Sequence, residues 1–140
     1  MVRHTVEIQV RWSESDPAGI AFYPRFFEWF DIGSDALFAS LGLPWPQMFP
    51  QYEIVGVPIV ECGARFGAPV RYGDAMQLTS TIAWVKDKTF RVDHEVRIGD
   101  RHCASGFEIR AWVGRPVAPG DPLSARAIPP EIVAKLTEDS

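Results

Sequence analysis

A carboxylate placed just ahead of a helix start is the pattern in this chain with the clearest chemical content. Asp16 lies in a loop rich in glycine and proline, and Pro24 suits the first position of the apolar, aromatic helix that follows. The first turn of a helix has backbone N–H groups without intrahelical partners and a partial positive charge, so it can hold a developing oxyanion. With Asp16 as nucleophile or base, this arrangement is typical of a hydrolase.

A structural interpretation of the same residues competes with the chemical one. Asp before Pro is an ordinary turn former, and Gly19 is common in turns even where no substrate approaches. Glu28, Asp31 and Asp35 follow at i, i+3 and i+7 on one face of the predicted helix, which is usually a solvated face. The local pattern alone therefore leaves both interpretations open.

The elements around this loop predict an α+β fold. A helix of about 18 residues is expected between Pro24 and Gly42, because proline suits a helix start and glycine a C-terminal cap. Thr5 to Trp12 alternates as an amphipathic strand, and residues 43–50 read as a proline-rich connection. Strand-like runs follow at 57–70, 76–85, 90–98 and 103–113. One helix followed by antiparallel strands gives a sheet able to wrap the helix.

Length and composition limit the class of protein. The 140 residues, 46% of them apolar, suit one domain spanning 1–140, in which 116–130 is an extended proline-rich segment and a short terminal helix docks loosely. A net charge of -4 argues against nucleic-acid binding, and the N-terminus shows neither a signal peptide nor a membrane span. With only Cys62 and Cys103, a cytoplasmic protein without disulfides is expected.

Sequence motifs add a family resemblance. The run DPAGI at 16–20, followed by YP at 23–24 and an aromatic helix, resembles the hotdog-fold thioesterases of the 4-hydroxybenzoyl-CoA thioesterase type. The likeness continues in IVGVPIVECGARF at 54–66, RYGD at 71–74 and KTF at 88–90. The resemblance implies an antiparallel sheet of about five strands wrapped around a long central helix. It also implies hydrolysis of an acyl-CoA to a carboxylate and free CoA, with no cofactor.

The resemblance assigns roles to individual residues. Asp16 corresponds to the catalytic carboxylate, acting either as a nucleophile through an acyl-enzyme anhydride or as a general base for water. The Tyr23 backbone N–H, with Gly19 close by, would polarise the thioester carbonyl. Glu28 is the alternative catalyst, because a second class of hotdog thioesterases carries its carboxylate on the helix. The expected acyl-group contacts are Asp31, Trp45 and Glu61, and the expected contacts to the CoA nucleotide are Lys86, Lys88 and Arg91.

The remaining expectations concern metal, substrate and assembly. His94 is flanked by Asp93 and Glu95, but neighbouring strand side chains point to opposite faces, so no metal site is predicted. Because Tyr23 is followed by Pro24, as in the 4-hydroxybenzoyl-CoA type, the resemblance implies an aryl-CoA substrate such as 4-hydroxybenzoyl-CoA. A short-chain aliphatic acyl-CoA thioesterase and a noncatalytic acyl-CoA-binding hotdog protein are the alternatives. The resemblance also implies a homodimer or homotetramer with active sites at the subunit interface.

Overall fold

A computed structural model describes residues 1–138; the last two residues of the predicted domain, 139–140, lie outside the described part. The chain forms eight strands and three α-helices within that part, with a short 3₁₀ turn at Trp12–Glu14. The elements are β1 (Arg3–Gln9), α1 (Arg25–Ser40), α2 (Trp45–Gln51), β2 (Ile54–Gly56), β3 (Ile59–Phe66), β4 (Ala75–Val85), β5 (Thr89–Ile98), β6 (Arg101–Ala111), β7 (Val113–Gly114), β8 (Ser124–Ala125) and α3 (Pro130–Thr137).

The strands form two antiparallel sheets. The larger has five strands in the order β1-β4-β5-β6-β3, and the smaller has three in the order β2-β7-β8. Every second side chain is buried from Ala75 to Ile82 in β4 and from Thr89 to Val96 in β5, as expected for strands with one face against a core. The α+β class predicted from the sequence is therefore confirmed.

Helix α1 packs against the inner face of the large sheet. Its buried stripe includes the aromatic residues Phe26, Trp29, Phe30 and Phe38. Two glycines allow the helix to lie close to the strands. A Cβ at Gly33 would overlap Ser80 and Leu78, and a Cβ at Gly106 would overlap the Phe30 ring.

The stretch from residue 43 to residue 50, expected to be a proline-rich connection, contains a short helix. Trp45 begins helix α2, and Pro46 fits its first turn because the N–H that proline lacks would have no intrahelical acceptor there. Burial drives the helix: Met48 is fully buried, and Trp45 stacks on Phe49 with the ring centroids 5.8 Å apart. Tertiary packing thus overrides the weak helix propensity of this stretch.

Both ends of the chain also differ from expectation. Strand β1 ends at Gln9, and Trp12 is 74% exposed in the 3₁₀ turn instead of continuing the buried strand face. Helix α3 is not loosely docked, since Ile132 and Leu136 are fully buried in the core with Leu37 and Trp112. No helix within residues 1–138 combines the length and apolarity needed to cross a membrane.

Candidate active site

The loop that carries Asp16 is a tight turn closed by its own backbone. The Asp16 N–H donates to the Ile20 carbonyl at 2.9 Å, and the Gly19 N–H donates to the Asp16 carbonyl at 2.9 Å. Gly19 has a φ of 80°, a conformation that favours glycine. One carboxylate oxygen of Asp16, Oδ1, accepts from the Ala18 N–H at 2.8 Å. The other oxygen, Oδ2, has no hydrogen-bond partner among the described residues.

The chain enters helix α1 through a turn at Tyr23 and Pro24. The Arg25 and Phe26 N–H groups donate to the carbonyls of Phe22 and Tyr23, so these two amides are already paired. Within the described part of the chain, the Tyr23 N–H donates no hydrogen bond. The Tyr23 side chain is 61% exposed and contacts Phe22 and Phe66 edge-on. A backbone N–H donor and an exposed aromatic ring, both of Tyr23, are therefore available to a ligand next to the Asp16 loop.

A buried carboxylate ties the Asp16 loop to the helix. The side chain of Glu14 accepts from the Arg11 N–H at 2.7 Å and from the Trp29 indole N–H at 3.0 Å, while the Glu14 carbonyl accepts from the Phe22 N–H at 2.8 Å. Since Trp29 is fully buried in α1, the loop cannot shift along the helix without breaking these bonds. Glu14 thus fixes the segment that presents Asp16.

The alternative catalytic carboxylate, Glu28, is already paired. Arg25 donates to Glu28 Oε1 at 2.8 Å and to Oε2 at 3.3 Å. The hydrogen bond and the charge of Glu28 raise the pKa of the Arg25 guanidinium above its ordinary value. Both contacts come from one guanidinium nitrogen, Nη1, which leaves neither oxygen of Glu28 without a partner, whereas Asp16 Oδ2 has none among the described residues, so the geometry favours Asp16 over Glu28.

Asp31 and Trp45 meet through a residue that the sequence analysis did not select. Arg110, whose side chain is 5% exposed, donates to Asp31 Oδ1 at 2.7 Å. Its guanidinium carbon lies 5.1 Å from the centroid of the Trp45 ring. Arg110 also donates to the Val57 carbonyl at 2.9 Å. Asp31, in contrast, is 56% exposed and keeps Oδ2 without a partner in the described residues.

Behind Arg110 lies a buried polar network between helix α1 and the sheet. Arg110 donates to both oxygens of Glu108, at 3.2 and 3.1 Å. Glu108 Oε1 also accepts from the Ser34 hydroxyl and lies 3.1 Å from His94 Nε2. The other ring nitrogen of His94, Nδ1, lies 2.8 Å from the Ser80 hydroxyl, and the ring stacks on Phe30 at a centroid distance of 4.8 Å.

The network holds Glu108 in its ionised form. Burial by itself would raise the pKa of the Glu108 carboxyl, but the hydrogen bond from His94 and the charge of Arg110 outweigh burial, and the pKa is lowered. The sequence did hold a signal for this pair. Glu108 and Arg110 stand two residues apart in a strand whose neighbours are apolar, so both charges must share one face. Two opposite charges on a buried face indicate an ion pair.

The other predicted contacts lie away from this group. Glu61 is exposed on β3, and Lys86 and Lys88 are exposed in the β4–β5 turn, with the Lys86 ammonium 4.4 Å from the centroid of the Trp84 ring. Arg91 lies on β5 and pairs with Asp93 at 2.7 Å, which puts it on the face of the sheet opposite the buried network. Arg91 stands opposite Trp84 in the register of β4 and β5, and Lys86 covers the ring of that same tryptophan.

A cleft of about 590 Å³ runs beside α1. It is lined by Arg11 and Glu14 ahead of the helix, by helix residues that include Glu28 and Asp31, and by Ile59 of β3, whereas Asp16 and Tyr23 do not line it. A second depression of about 990 Å³ lies on the outer face of the large sheet and contains none of the candidate carboxylates on α1. Among the described residues, no group of three or more His, Cys, Asp or Glu side chains is placed to hold a metal ion.

Fold and site together define an α+β hotdog protein with a free carboxylate at a helix entrance. A model of the thioesterase-like superfamily matches residues 10–136, and the chain belongs to this family. A 4-hydroxybenzoyl-CoA thioesterase from Pseudomonas sp. (strain CBS-3) is 34% identical over 93 residues, which are 66% of this chain and 66% of that protein.

Solved structures agree with this membership. An aspartate-to-asparagine variant of 4-hydroxybenzoyl-CoA thioesterase, complexed with 4-hydroxybenzoyl-CoA, superposes with a TM-score of 0.87 at 28% identity and covers 98% of this chain and 100% of its own. A gentisyl-coenzyme A thioesterase superposes with a TM-score of 0.83 at 28% identity, covering 95% and 99%. The names of these relatives are consistent with an acyl-CoA thioesterase, and the predicted hotdog family is confirmed.

Proposed function

We propose that this protein hydrolyses an aryl-CoA thioester, preferably a hydroxylated one such as 4-hydroxybenzoyl-CoA, to the carboxylate and free CoA. The observation that carries the proposal is the free Oδ2 of Asp16 in a loop tied to a helix entrance whose Tyr23 N–H is unpaired. A carboxylate with a free lone pair and a nearby unused N–H donor are the two groups that thioester hydrolysis requires.

Two routes of thioester hydrolysis use these groups. In the first, Asp16 attacks the thioester carbonyl carbon, the C–S bond breaks, CoA leaves as a thiolate that takes up a proton, and water then hydrolyses the acyl anhydride. In the second, Asp16 takes a proton from a water molecule as that water attacks the same carbon, after which the C–S bond breaks and CoA leaves as a thiolate that takes up the proton. In both routes the Tyr23 N–H donates to the carbonyl oxygen as it gains charge, and Gly19 lets the substrate approach closely.

The acyl group is assigned to the region of Asp31 and Trp45. Asp31 offers a free carboxylate oxygen beside the cleft, and the Trp45 ring lies against Arg110, which holds Asp31. Two relatives are named for 4-hydroxybenzoyl-CoA and gentisyl-CoA, both hydroxylated aryl thioesters. Glu61 is proposed as a further acyl contact from β3, and Lys86, Lys88 and Arg91 as contacts to the CoA phosphates.

A panel of CoA thioesters tests the proposed substrate class. Aryl, arylacetyl and short aliphatic acyl-CoAs would be compared by thiol release, and we expect an aryl thioester to give the highest kcat/KM. An aliphatic substrate that is better by tenfold or more, about 1.4 kcal/mol of transition-state preference, would refute the aryl assignment. No turnover of any thioester would favour a protein that only binds acyl-CoA.

We also propose that the cleft is completed by a second subunit. Strand β3 is an edge of the large sheet, paired only with β6, and it exposes Ile59, Val60 and Phe66 at 42%, 61% and 51%. An exposed apolar edge is a surface that natural proteins normally cover. Ile59 also lines the cleft beside Asp31, so a subunit seated on β3 would close that side of the cleft.

Sedimentation at micromolar protein concentration measures this assembly. We expect a homodimer or homotetramer, because a closed symmetric oligomer would bury the apolar edge of β3. Val60→Lys is expected to shift the distribution toward smaller species, since it places a charge on that edge. A wild-type protein that sediments only as a 15.7 kDa monomer contradicts both the assembly and the shared site.

A further inference from the structure

The Arg110 guanidinium is held on every side by fixed partners. Its Nε and one terminal nitrogen form a fork on the two oxygens of Glu108, its other terminal nitrogen donates to the Val57 carbonyl, and the Trp45 ring covers it at 5.1 Å. Glu108 is itself held by Ser34 and His94 in the core. A bidentate, buried guanidinium has little freedom to turn, so the directions of its other N–H groups are set by the core of the protein.

The terminal nitrogen of Arg110 that donates to Glu108 Oε2 also donates to Asp31. The bond to Asp31 Oδ1 is 2.7 Å long, at the short end for an N–H···O bond between charged groups. The side chain of Asp31 is otherwise half exposed on the surface of α1 and would be free to change rotamer. Because Oδ1 is taken by Arg110, Oδ2 is the acceptor that Asp31 presents beside the cleft.

We propose that Arg110 is a positioning residue that sets acyl-group selectivity by locking the Asp31 carboxylate in one orientation. This inference rests on the proposed function, because it concerns the acyl end of the same site. With Glu108 and Asp31 ionised and Arg110 charged, these three groups carry a net charge of -1. The site therefore favours an acyl group that donates a hydrogen bond, such as a ring hydroxyl, and disfavours one that carries a second carboxylate.

Selectivity is measured on two matched pairs of ligands. The first pair, 4-hydroxybenzoyl-CoA and benzoyl-CoA, gives kcat and KM separately. The second pair consists of the thioether analogues of the same two thioesters, in which a methylene group separates the carbonyl carbon from sulfur, so that no hydrolysis occurs and calorimetry gives Kd. In the wild-type protein the hydroxyl should improve Kd about tenfold, the scale of a hydrogen bond to an ionised acceptor.

Substitution of Arg110 should reduce that preference. Arg110→Met is expected to lower the ratio of Kd for the analogue without the hydroxyl to Kd for the analogue with it at least fivefold. In turnover, the same loss should appear as a higher KM for the hydroxylated thioester. Arg110→Lys should restore part of the Kd ratio. Asp31→Asn should lower the same ratio, and its combination with Arg110→Met should add little further, because both changes remove one interaction. Arg97→Met, an exposed arginine paired with Glu95 on β5, is the matched control and should leave the ratio unchanged.

Arg110→Met leaves Glu108 buried without its charge partner and so risks unfolding the chain. The double variant Glu108→Gln with Arg110→Met removes both charges and keeps an amide for His94 and Ser34, so it provides the folded test. A folded Arg110 variant that keeps the wild-type Kd ratio overturns the inference, as does a wild-type protein that shows no hydroxyl preference in binding. Analogue binding with a hydroxyl preference but no thioester turnover would refute the proposed hydrolysis and leave the role of Arg110 standing.

Discussion

Asp16→Asn is expected to lower kcat by about 10² to 10⁴ while the fold and thioester binding survive. The amide keeps the size of the side chain, and its oxygen can still accept from the Ala18 N–H, so the turn that Asp16 closes with Ile20 and Gly19 should persist. What is lost is the free anionic oxygen that would attack the carbonyl carbon or take a proton from water. Steady-state kinetics on the best thioester of the panel, with circular dichroism for the fold, measures the effect.

Glu28→Gln is the matched control, because it removes the other carboxylate beside the helix entrance. Glu28 is occupied by Arg25, and its loss should change kcat only a few-fold. The reverse result, with Asp16→Asn near normal and Glu28→Gln inactive, would move the chemistry to the helix carboxylate. If only KM rises in Asp16→Asn, then Asp16 is a group that binds the ground state and has no special role in the transition state.

Glu108→Gln should destabilise the folded protein by about 3 kcal/mol, because it leaves the buried Arg110 without its bidentate partner. Both side chains are nearly inaccessible to solvent, at 1% and 5% exposure. Asp31 still neutralises part of the Arg110 charge, and this places the expected loss at the lower end of the range for breaking a buried pair. Urea unfolding monitored by tryptophan fluorescence gives the free energy of unfolding directly.

Glu95→Gln is the control for an ion pair at the surface. Glu95 pairs with Arg97 at 2.6 Å, but both side chains are more than 40% exposed, so its loss should cost under about 1 kcal/mol. If Glu108→Gln and Glu95→Gln lower the free energy of unfolding by equal, small amounts, the Glu108–Arg110 pair has no structural role.

The same pair predicts how stability depends on pH. The pKa of Glu108 is lowered from the ordinary 4.5 in the folded protein, so its stabilising contribution is fully present above that value. The contribution is lost as the pH falls from 4.5 through the lowered pKa of the folded state. The free energy of unfolding of Glu108→Gln should therefore fall less steeply than that of the wild type below pH 4.5, and equal slopes would argue against an ionised Glu108.

Local patterns were sufficient for the class of fold and for the turn that carries Asp16. Alternation in the strands and the aromatic stripe of α1 follow from periods of 2 and 3.6 residues, and these depend only on the backbone. The turn at Asp16 and Gly19 and the helix entrance at Pro24 likewise rest on conformational preferences within a few residues. These features were predictable because the interactions that form them join residues that are close together in the sequence.

Packing decided what the sequence left undetermined. Helix α2 forms in a stretch with three prolines because Met48 and Trp45 find apolar partners there, and no local preference indicates this. The contact between Asp31 and Arg110 joins residues 79 positions apart, through the approach of α1 to the sheet that Gly33 and Gly106 permit. Sequence by itself determined which residues can carry charge or accept a proton. Tertiary structure decided which of them meet, because strand register and helix packing bring together side chains that are distant along the chain.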